Sequence, residues 1–499
     1  MPKEFFKVEN TTSLHSIAPG SKVHVIGVCG VAMAQLSTAL ADRGYVVTGS
    51  DKEFYEPMRS LLAASPVKTF EGYAASNVPE GVSLVVIGNA ISYGNPEVDV
   101  VEQKNLPYTC FPKLLQETAI AGKHSIVVSG THGKSTTTAM VASMLISLGK
   151  EPSYFVGGIA KGLPKSLAVG TGGFSVVEGD EYDSAFFAKV PKFSFYTPQT
   201  VVVNAIEFDH ADIYPNVEAI EAQFTSMIKD LPEDGTAVCC IDFPRVKSLV
   251  AEWKKTTRCK FITFGRDAEA NYQITARAPK GLSQKVSVSI RGGESFDMLI
   301  PVVGEYNARN ALAATIVGDV AGFNRGDVLS ALGKFERVKR RQEVRCFEGG
   351  VMLIEDFAHH PTAVKETIEA VREAFPSTQL VAIFEPRSNS SRRKVFQSDY
   401  VAAFKLADVA ILKNVTARAS DAGQELLDVQ TLSDEIGRTG VSSVCLSDVK
   451  AIQTHVWSFV AKGDQTVSSE VPAAVVVVMS NGSFDGLIEM LERDVRGMD

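Results

Sequence analysis

The residues with the most legible chemistry are Ser129-Gly130-Thr131-His132-Gly133-Lys134-Ser135-Thr136. The apolar run Ser125-Ile126-Val127-Val128 precedes them, and a helical pattern starts near Thr137. A strand, a glycine-rich turn and a helix N-terminus make a phosphate cradle. Backbone N–H groups and the helix dipole face the anion, and the lysine adds a point charge. The general phosphate-loop pattern places a first glycine five residues before Gly133. Val128 stands there instead, so the loop departs from the strict form. The plainer alternative is a glycine turn before an ordinary helix. The spacing predicts a nucleoside triphosphate site.

Two further groups belong to the same chemistry. Strand Phe174–Val177 ends in Glu178-Gly179-Asp180-Glu181-Tyr182-Asp183, and an acidic strand end beside a phosphate loop is where Mg²⁺ is held. Strand Val201–Asn204 is followed by Glu207-Phe208-Asp209-His210-Ala211-Asp212. A histidine beside aspartate at a strand exit serves as a metal ligand or as a helix cap. Further on, Gly304-Glu305-Tyr306-Asn307-Ala308-Arg309-Asn310 opens a helix. Asn307 and Asn310 share one face there, either as part of a capped packing helix or as two amides offered to a base or phosphate.

These groups need sheets to place them. The chain opens with strand Val23–Ile26, the loop Gly27-Val28-Cys29-Gly30, a helix to about Arg43 and a second strand, Tyr45–Thr48, ending at Gly49-Ser50-Asp51. This is a βαβ start with an acidic residue roughly 20 residues past the glycines, where a ribose hydroxyl is often held. The spacing is G-x-x-G, so it signals a Rossmann-like fold more than a dinucleotide. A third strand, Leu84–Ile87, ends at Gly88-Asn89-Ala90. The basic run Arg337–Arg345 reads as a second boundary; the plainer alternative for so many charges is a solvated connector. Beyond it, strand Val351–Ile354 runs into Glu355-Asp356-Phe357-Ala358-His359-His360-Pro361, with Pro361 in the first turn of a helix to about Phe375. Strand Gln379–Phe384 ends at Glu385-Pro386-Arg387-Ser388-Asn389. Strand Val409–Leu412 follows, and the last, Ala473–Met479, ends at Ser480-Asn481-Gly482. These polar groups all fall at carboxyl ends of strands, where open α/β sheets bind ligands.

Composition narrows the classes. At 499 residues the chain predicts two to four domains. Its 45% hydrophobic and 22% charged residues are ordinary for a globular protein, and a net charge of −8 argues against a nucleic-acid surface. Seven dispersed cysteines read as reduced cytosolic thiols. Met1–Asn10 has no apolar core, so no signal peptide is expected, and Ala473–Met479 is too short to span a bilayer. The expectation is a cytoplasmic protein with no membrane or nucleic-acid partner. Oligomeric state stays open between monomer and weak dimer.

The loop Gly130–Thr138, Glu178, the Asn204…Asp209-His210 element, Asn307/Asn310, Arg340-Arg341 and Asp356…His359-His360-Pro361 together resemble the motifs of the Mur ligase family, in the family's order and over nearly the whole chain. The resemblance implies an α/β fold of three domains. These are a Rossmann-like UDP-sugar domain over 1–122, a central P-loop ATPase domain over 123–338 and a C-terminal Rossmann-like acceptor domain over 339–499. It implies an ATP-dependent ligase that joins an amino acid or peptide to a UDP-N-acetylmuramate-type precursor through an acyl phosphate. The forms Glu207–Asp212, Asp356–Ala363 and Glu385–Asn389 resemble the branch that adds the tripeptide L-alanyl-γ-D-glutamyl-meso-diaminopimelate in peptidoglycan recycling. The runner-up is the branch that adds L-alanine in de novo synthesis; a nucleotide switch without catalysis is the remote alternative.

By the same resemblance Gly130, Thr131, Gly133, Lys134, Ser135, Thr136, Asn307, Asn310, Arg341 and Asp356 hold ATP, with Mg²⁺ on Ser135, Glu178 and His210. Gly27, Gly30, Asp51, Asn89 and His132 serve the UDP-sugar. Arg387, Ser388 and Asn389 hold the peptide, and His359 or His360 orients its amine. The catalytic set is Lys134, Glu178, His210, His359 and His360. Several family members carry a carbamylated lysine downstream of the metal histidine. Ala222-Gln223-Phe224-Thr225 has none, which leaves the second metal's ligand set open.

Overall fold

In a computed structural model, the structure describes all residues except 1–4, 210–212, 417, 419–420, 422–423, 461–470 and 498–499. The chain forms two compact units. One comprises 1–206, 218–263 and 313–331; the other comprises 207–217, 264–312 and 332–499.

The first unit begins with a five-stranded parallel sheet: β1 Lys22–Ile26, β2 Val46–Asp51, β3 Lys68–Glu71, β4 Leu84–Ile87 and β5 Tyr108–Cys110 in the order β3-β2-β1-β4-β5. The order reverses between β1 and β4, which puts Gly27–Gly30 and Gly88–Ala90 at the crevice where such sheets bind ligands. Gly27 has φ +85°, and a Cβ on Gly49 would stand 2.7 Å from Val28, so the glycines here serve the turn and close strand packing.

Beneath the sheet, the buried Glu97 of helix Pro96–Gln103 accepts from Asn77 Nδ2 at 2.8 Å, from the Ala74 amide at 3.1 Å and from the Ser50 hydroxyl. His24 Nε2 lies 3.2 Å from the same carboxylate, and its Nδ1 lies 2.8 Å from Thr48 Oγ1. Burial works against ionisation of Glu97, but the hydrogen bonds from His24, Ser50 and Asn77 outweigh it and hold the carboxyl below its ordinary range.

The second sheet of this unit contains β6 His124–Ser129, β7 Ser153–Phe155, β8 Leu167–Ala168, β9 Phe174–Gly179, β12 Thr200–Val203, β13 Thr236–Cys240 and the start of β14 Lys260–Gly265. Its order is β14-β13-β12-β6-β9-β7-β8, and β6 sits in register between β12 and β9. Their Val/Ile runs are buried on both faces, as parallel strands require. The hairpin β10 Asp183–Ala185 and β11 Ala188–Pro191 carries Phe186 and Phe187 into a ring cluster with Phe6, Tyr93 and Tyr108.

The second unit holds an antiparallel meander, β15 Tyr272–Lys280, β16 Ser283–Ile290 and β17 Phe296–Ile300, and a six-stranded sheet. The latter runs β18 Glu343–Glu348, β19 Val351–Asp356, β23 Ala474–Met479, β20 Gln379–Phe384, β21 Val409–Lys413, β22 Ser442–Leu446, parallel except for the edge strand β18.

Strand positions read from sequence agree to within one to three residues, the largest difference being the second strand, which runs to Asp51 rather than Thr48; three further points differ or are settled. The phosphate-loop helix begins at Lys134 rather than near Thr137, because Gly133 caps it with φ +80°. The meander has no counterpart in the sequence reading. The run Arg337–Arg345 is not a solvated connector. Arg337 donates to the carbonyls of Leu282 and Pro301 at 2.8 and 2.9 Å. Arg340 and Arg345 both pair with Glu355, and Arg345 also with Glu492. Among the described residues no helix is long and apolar enough to cross a membrane.

Candidate functional site

The phosphate loop leaves β6 at Ser129. Gly130 adopts φ +124°, and a Cβ there would stand 2.8 Å from the Ala205 amide nitrogen, so the loop lies against the exit of β12. The Thr131 amide donates to the Ala205 carbonyl at 2.8 Å, and Asn204 Nδ2 reaches Thr137 Oγ1 at 3.2 Å. The register of β9 on β6 sets Glu178 beside Val128. Its carboxylate accepts from Ser135 Oγ at 3.1 Å and from the Gly157 amide at 2.5 Å. Glu178 is 2% exposed; burial first, then the charge of Asp180, pushes it up to about 7.

Lys134 Nζ is bound by Glu181, at 3.0 Å from each carboxylate oxygen, by the Gly130 carbonyl at 2.8 Å, and by Asp180 at 4.0 Å. Lys192 pairs with Asp180 at 2.7 Å. Burial would lower the Lys134 ammonium, but Glu181 and Asp180 outweigh it and hold it above its ordinary value. Glu181 and Asp180 thus neutralise Lys134 and Lys192. A hydroxyl and a carboxylate, Ser135 and Glu178, form a hard oxygen donor pair suited to Mg²⁺. Among the described residues the buried Asn204 Oδ1 nearby has no hydrogen-bond partner, which fits a site completed by a ligand. Thr136 is buried in the first helical turn, and His132 is half-buried in the loop. His210 lies outside the described residues. Lys192, Gly157 and the bond of Glu181 to Lys134 were not found from sequence; nothing in the spacing marks the first two.

At the first sheet, Asp51 Oδ2 accepts from the Cys29 amide at 2.7 Å, and Oδ1 from the Lys52 amide at 2.8 Å and Tyr73 at 3.2 Å. The carboxylate therefore ties down the Gly27–Gly30 loop. Gly30 caps helix Val31–Asp42, and Asn89 is exposed at the end of β4.

In the second unit Asn307 Nδ2 donates to Gln342 Oε1 at 3.2 Å, and the Gln342 amide donates to Asp356 Oδ2 at 2.8 Å. Asn310 Nδ2 reaches Asn307 Oδ1 at 3.4 Å, so Asn307, Asn310 and Asp356 come together through Gln342, a residue the sequence reading missed. Gln342 and Arg340 have φ +47° and +60°, left-handed values that turn the chain sharply. Asp356 is raised by burial, with Arg341 opposing. The guanidinium groups of Arg340 and Arg341 lie 5.0 and 4.9 Å from the Phe357 ring centre.

His360 caps helix Pro361–Ala374, its Nδ1 accepting from Thr362 at 3.4 Å and lying 3.9 Å from Glu207. His359 Nδ1 lies 3.0 Å from the Phe357 carbonyl. The Ser388 hydroxyl is used within its own loop, donating to Ser391 Oγ at 2.9 Å, while Asn389 is exposed. Arg387 is half-buried. Among the described residues its guanidinium makes no hydrogen bond or ion pair; only its backbone carbonyl is engaged, by Arg418 at 3.1 Å.

Three family models match the chain in succession: Mur ligase family, catalytic domain, over 22–123; Mur ligase middle domain over 128–318; and Mur ligase, glutamate ligase domain, over 340–482. The Escherichia coli K12 UDP-N-acetylmuramate–L-alanyl-γ-D-glutamyl-meso-2,6-diaminoheptandioate ligase is 31% identical over 94% of this chain and 97% of its own. The UDP-N-acetylmuramate–L-alanine ligase of Salinibacter ruber is 33% identical over 79% of this chain and 80% of its own. Among solved structures, a murein peptide ligase from Psychrobacter arcticus superposes with a TM-score of 0.67 at 28% identity, covering 95% of this chain and 99% of that one.

Proposed function

The chain belongs to the Mur ligase family, whose members form amide bonds at the expense of ATP, and we propose that it joins the tripeptide L-alanyl-γ-D-glutamyl-meso-diaminopimelate to UDP-N-acetylmuramate. The UDP-sugar is bound by 1–122, ATP by 123–338 and the peptide by 339–499. The reaction belongs to the cytoplasmic recycling of peptidoglycan. The observation that carries the ATP-dependent step is the constellation around Lys134: a phosphate loop whose lysine and serine are each already held by a buried carboxylate.

The chemistry follows from moving negative charge between oxygens. The lactyl carboxylate of the muramyl group attacks the γ-phosphorus of ATP, the bond to the β-phosphate oxygen breaks, and ADP leaves from an acyl phosphate. The tripeptide's alanyl amine, having lost a proton, attacks the acyl carbon, and the tetrahedral intermediate expels phosphate. Lys134 exchanges Glu181 for the β/γ-phosphate oxygens, and the amides of Gly130–Thr136 line the same anion. Ser135 and Glu178, with His210, would hold Mg²⁺, which supplies positive charge to the transferring phosphoryl group. Asn307, Asn310, Arg341 and Asp356 orient the nucleotide. His359 or His360 orients the amine. Gly27, Gly30, Asp51, Asn89 and His132 serve the UDP-sugar, with Asp51 acting through the loop it ties down.

Arg387, with Ser388 and Asn389, supports the tripeptide as acceptor. A guanidinium at a strand's carboxyl end that is unpaired among the described residues suits a carboxylate remote from the reacting amine; the tripeptide offers such carboxylates, and free L-alanine has only the one beside its amine. ADP release from the full-length enzyme with UDP-N-acetylmuramate, L-alanine against tripeptide, tests the choice. A higher kcat/KM for tripeptide is expected; preference for L-alanine assigns the chain to the L-alanine-adding branch.

A further inference from the structure

Gly482 lies in the loop after β23, and β23 pairs with β20 so that Met479 stands opposite Phe384. The loops carrying Arg387 and Gly482 therefore leave adjacent strands at the same end of the sheet. A Cβ built on Gly482 would stand 1.5 Å from Arg387 Nη1, 2.3 Å from its Cζ and 2.5 Å from its Cδ, and these are its three nearest atoms. Gly482 is not among the residues with positive φ, so its backbone conformation does not call for glycine. What the missing side chain makes room for is the arginine, whose stem and head lie across the peptide.

That peptide is fixed from both sides. The Gly482 amide donates to Ser480 Oγ at 2.9 Å, and Ser480 Oγ donates to the buried Glu385 at 2.6 Å. Lys413 holds the other oxygen of Glu385 at 2.9 Å. Arg340 donates to the carbonyls of Gly482 and, at 2.8 Å, of Ser480. Arg387 thus rests on a fixed shelf, and among the described residues its own donors take no hydrogen bond. Asp485 is the carboxylate that feels its charge, and that carboxylate is taken by Lys413 at 2.5 Å. A guanidinium held in place by packing loses less rotamer freedom when it binds a carboxylate than one waving in solvent.

We propose that Gly482 is a specificity-determining position. By lacking a side chain it lays Arg387 across the 480–482 peptide, and this placement selects an acceptor with a carboxylate remote from the reacting amine. The proposal rests on the reading of Arg387 as the acceptor's carboxylate partner. A Cβ at 482 meets the flexible arginine first, its three nearest atoms all being in that side chain, so Gly482→Ala displaces the arginine rather than the fold.

The test is a double-mutant cycle on the full-length enzyme, following ADP release with saturating ATP and UDP-N-acetylmuramate and varying tripeptide. Arg387→Ala is expected to raise the tripeptide KM more than tenfold, and Gly482→Ala to raise it five- to tenfold. Both should leave the KM for ATP and the melting temperature near wild type. In the Arg387→Ala background, Gly482→Ala should add less than twofold, since the shelf then has nothing to hold. Ser480→Ala removes the hydroxyl under the shelf without adding bulk. It should raise the same KM a few-fold, again with no effect beyond Arg387→Ala, and it carries the test if Gly482→Ala does not fold. Independent, multiplicative effects of the two sites overturn the proposal, as does an unchanged KM in Gly482→Ala and Ser480→Ala when Arg387→Ala has raised it. An unchanged KM in Arg387→Ala overturns the acceptor reading itself, and the proposal with it.

Discussion

Replacing Lys134 with alanine should damage the ligand-free protein as well as its activity, and the structure sets the size. The ammonium is 12% exposed and faces Glu181, 2% exposed, at 3.0 Å, with Asp180 at 4.0 Å. At an effective dielectric of about 20 such a contact is worth roughly 5 kcal/mol before desolvation. A surface pair contributes about 0–1 kcal/mol, whereas breaking a buried pair by removing one partner costs about 3–5 kcal/mol. Lys192 still holds Asp180 in the variant, and Glu181 loses its lysine, so the lower end, about 3 kcal/mol, is expected. The loss depends on pH. Glu178 already sits at about 7 through burial and Asp180, and Lys134 pulls it down; without Lys134 it rises further. A raised carboxyl pKa favours the neutral group in the folded state. Glu178 is neutral in the fold of both proteins below about pH 7, so its share of the deficit is absent there and grows as pH climbs above that value. Urea unfolding of ligand-free Lys134→Ala should show a larger deficit at pH 8 than at pH 5. Lys134→Ala/Glu181→Gln should recover most of that stability but none of the ligation, which falls by about 10²–10³ when one such charge stabiliser is lost. A Lys134→Ala midpoint equal to wild type at pH 8, or no recovery in the double variant, refutes the account of Glu181 as the lysine's resting partner.

Glu178→Ala and His210→Ala should each raise the Mg²⁺ concentration for half-maximal ADP release severalfold; unchanged titrations in both would remove them from the metal site. Glu97→Ala leaves Ser50, Asn77 and the Ala74 amide without their acceptor and should cost about 3 kcal/mol at pH 7. Because Glu97 is held below its ordinary value, its contribution is present above about pH 4.5 and fades as pH falls through the folded value, so the wild-type and variant unfolding curves should converge in acid. Curves that stay parallel down to pH 3 would show that Glu97 is not ionised in the fold.

What the sequence disclosed and what it hid divide along one line: whether a signal is local in the chain. The Val/Ile runs of β4, β12 and β20 and the polar residues that end them are contiguous, so both the strands and the ligand-bearing loops could be placed. The phosphate loop is likewise one stretch with fixed spacing. The meander β15–β17 has no counterpart in the sequence reading although its turns are marked by Gly281 and Gly292, both with positive φ, and although Val286, Val288 and Ile290 alternate with Lys285, Ser287 and Ser289 in β16; only β15, with Ile274 its one buried residue, carries no such signal. The pairing of the basic run Arg337–Arg345 is hidden for a different reason. Its neutralising partners, Glu355, Glu492 and carbonyls near residues 282, 301 and 480, are remote in the chain, so nothing local separates it from a solvated linker.

Charge pairing inside a fold is thus the least readable layer, and it is the layer that the candidate site depends on most. The proposal of Lys134 as a phosphate ligand comes from its loop alone, but that Glu181 holds it follows from the β9 exit lying beside β6. The proposal of Arg387 as a carboxylate ligand comes from its place after β20, but that Gly482 lies against it follows from the insertion of the last strand, β23, between β19 and β20. Both cations are therefore posed by residues delivered through sheet order. A substitution that preserves every motif residue yet shifts β9 or β23 by one register step would leave the motifs intact and the two cations misplaced.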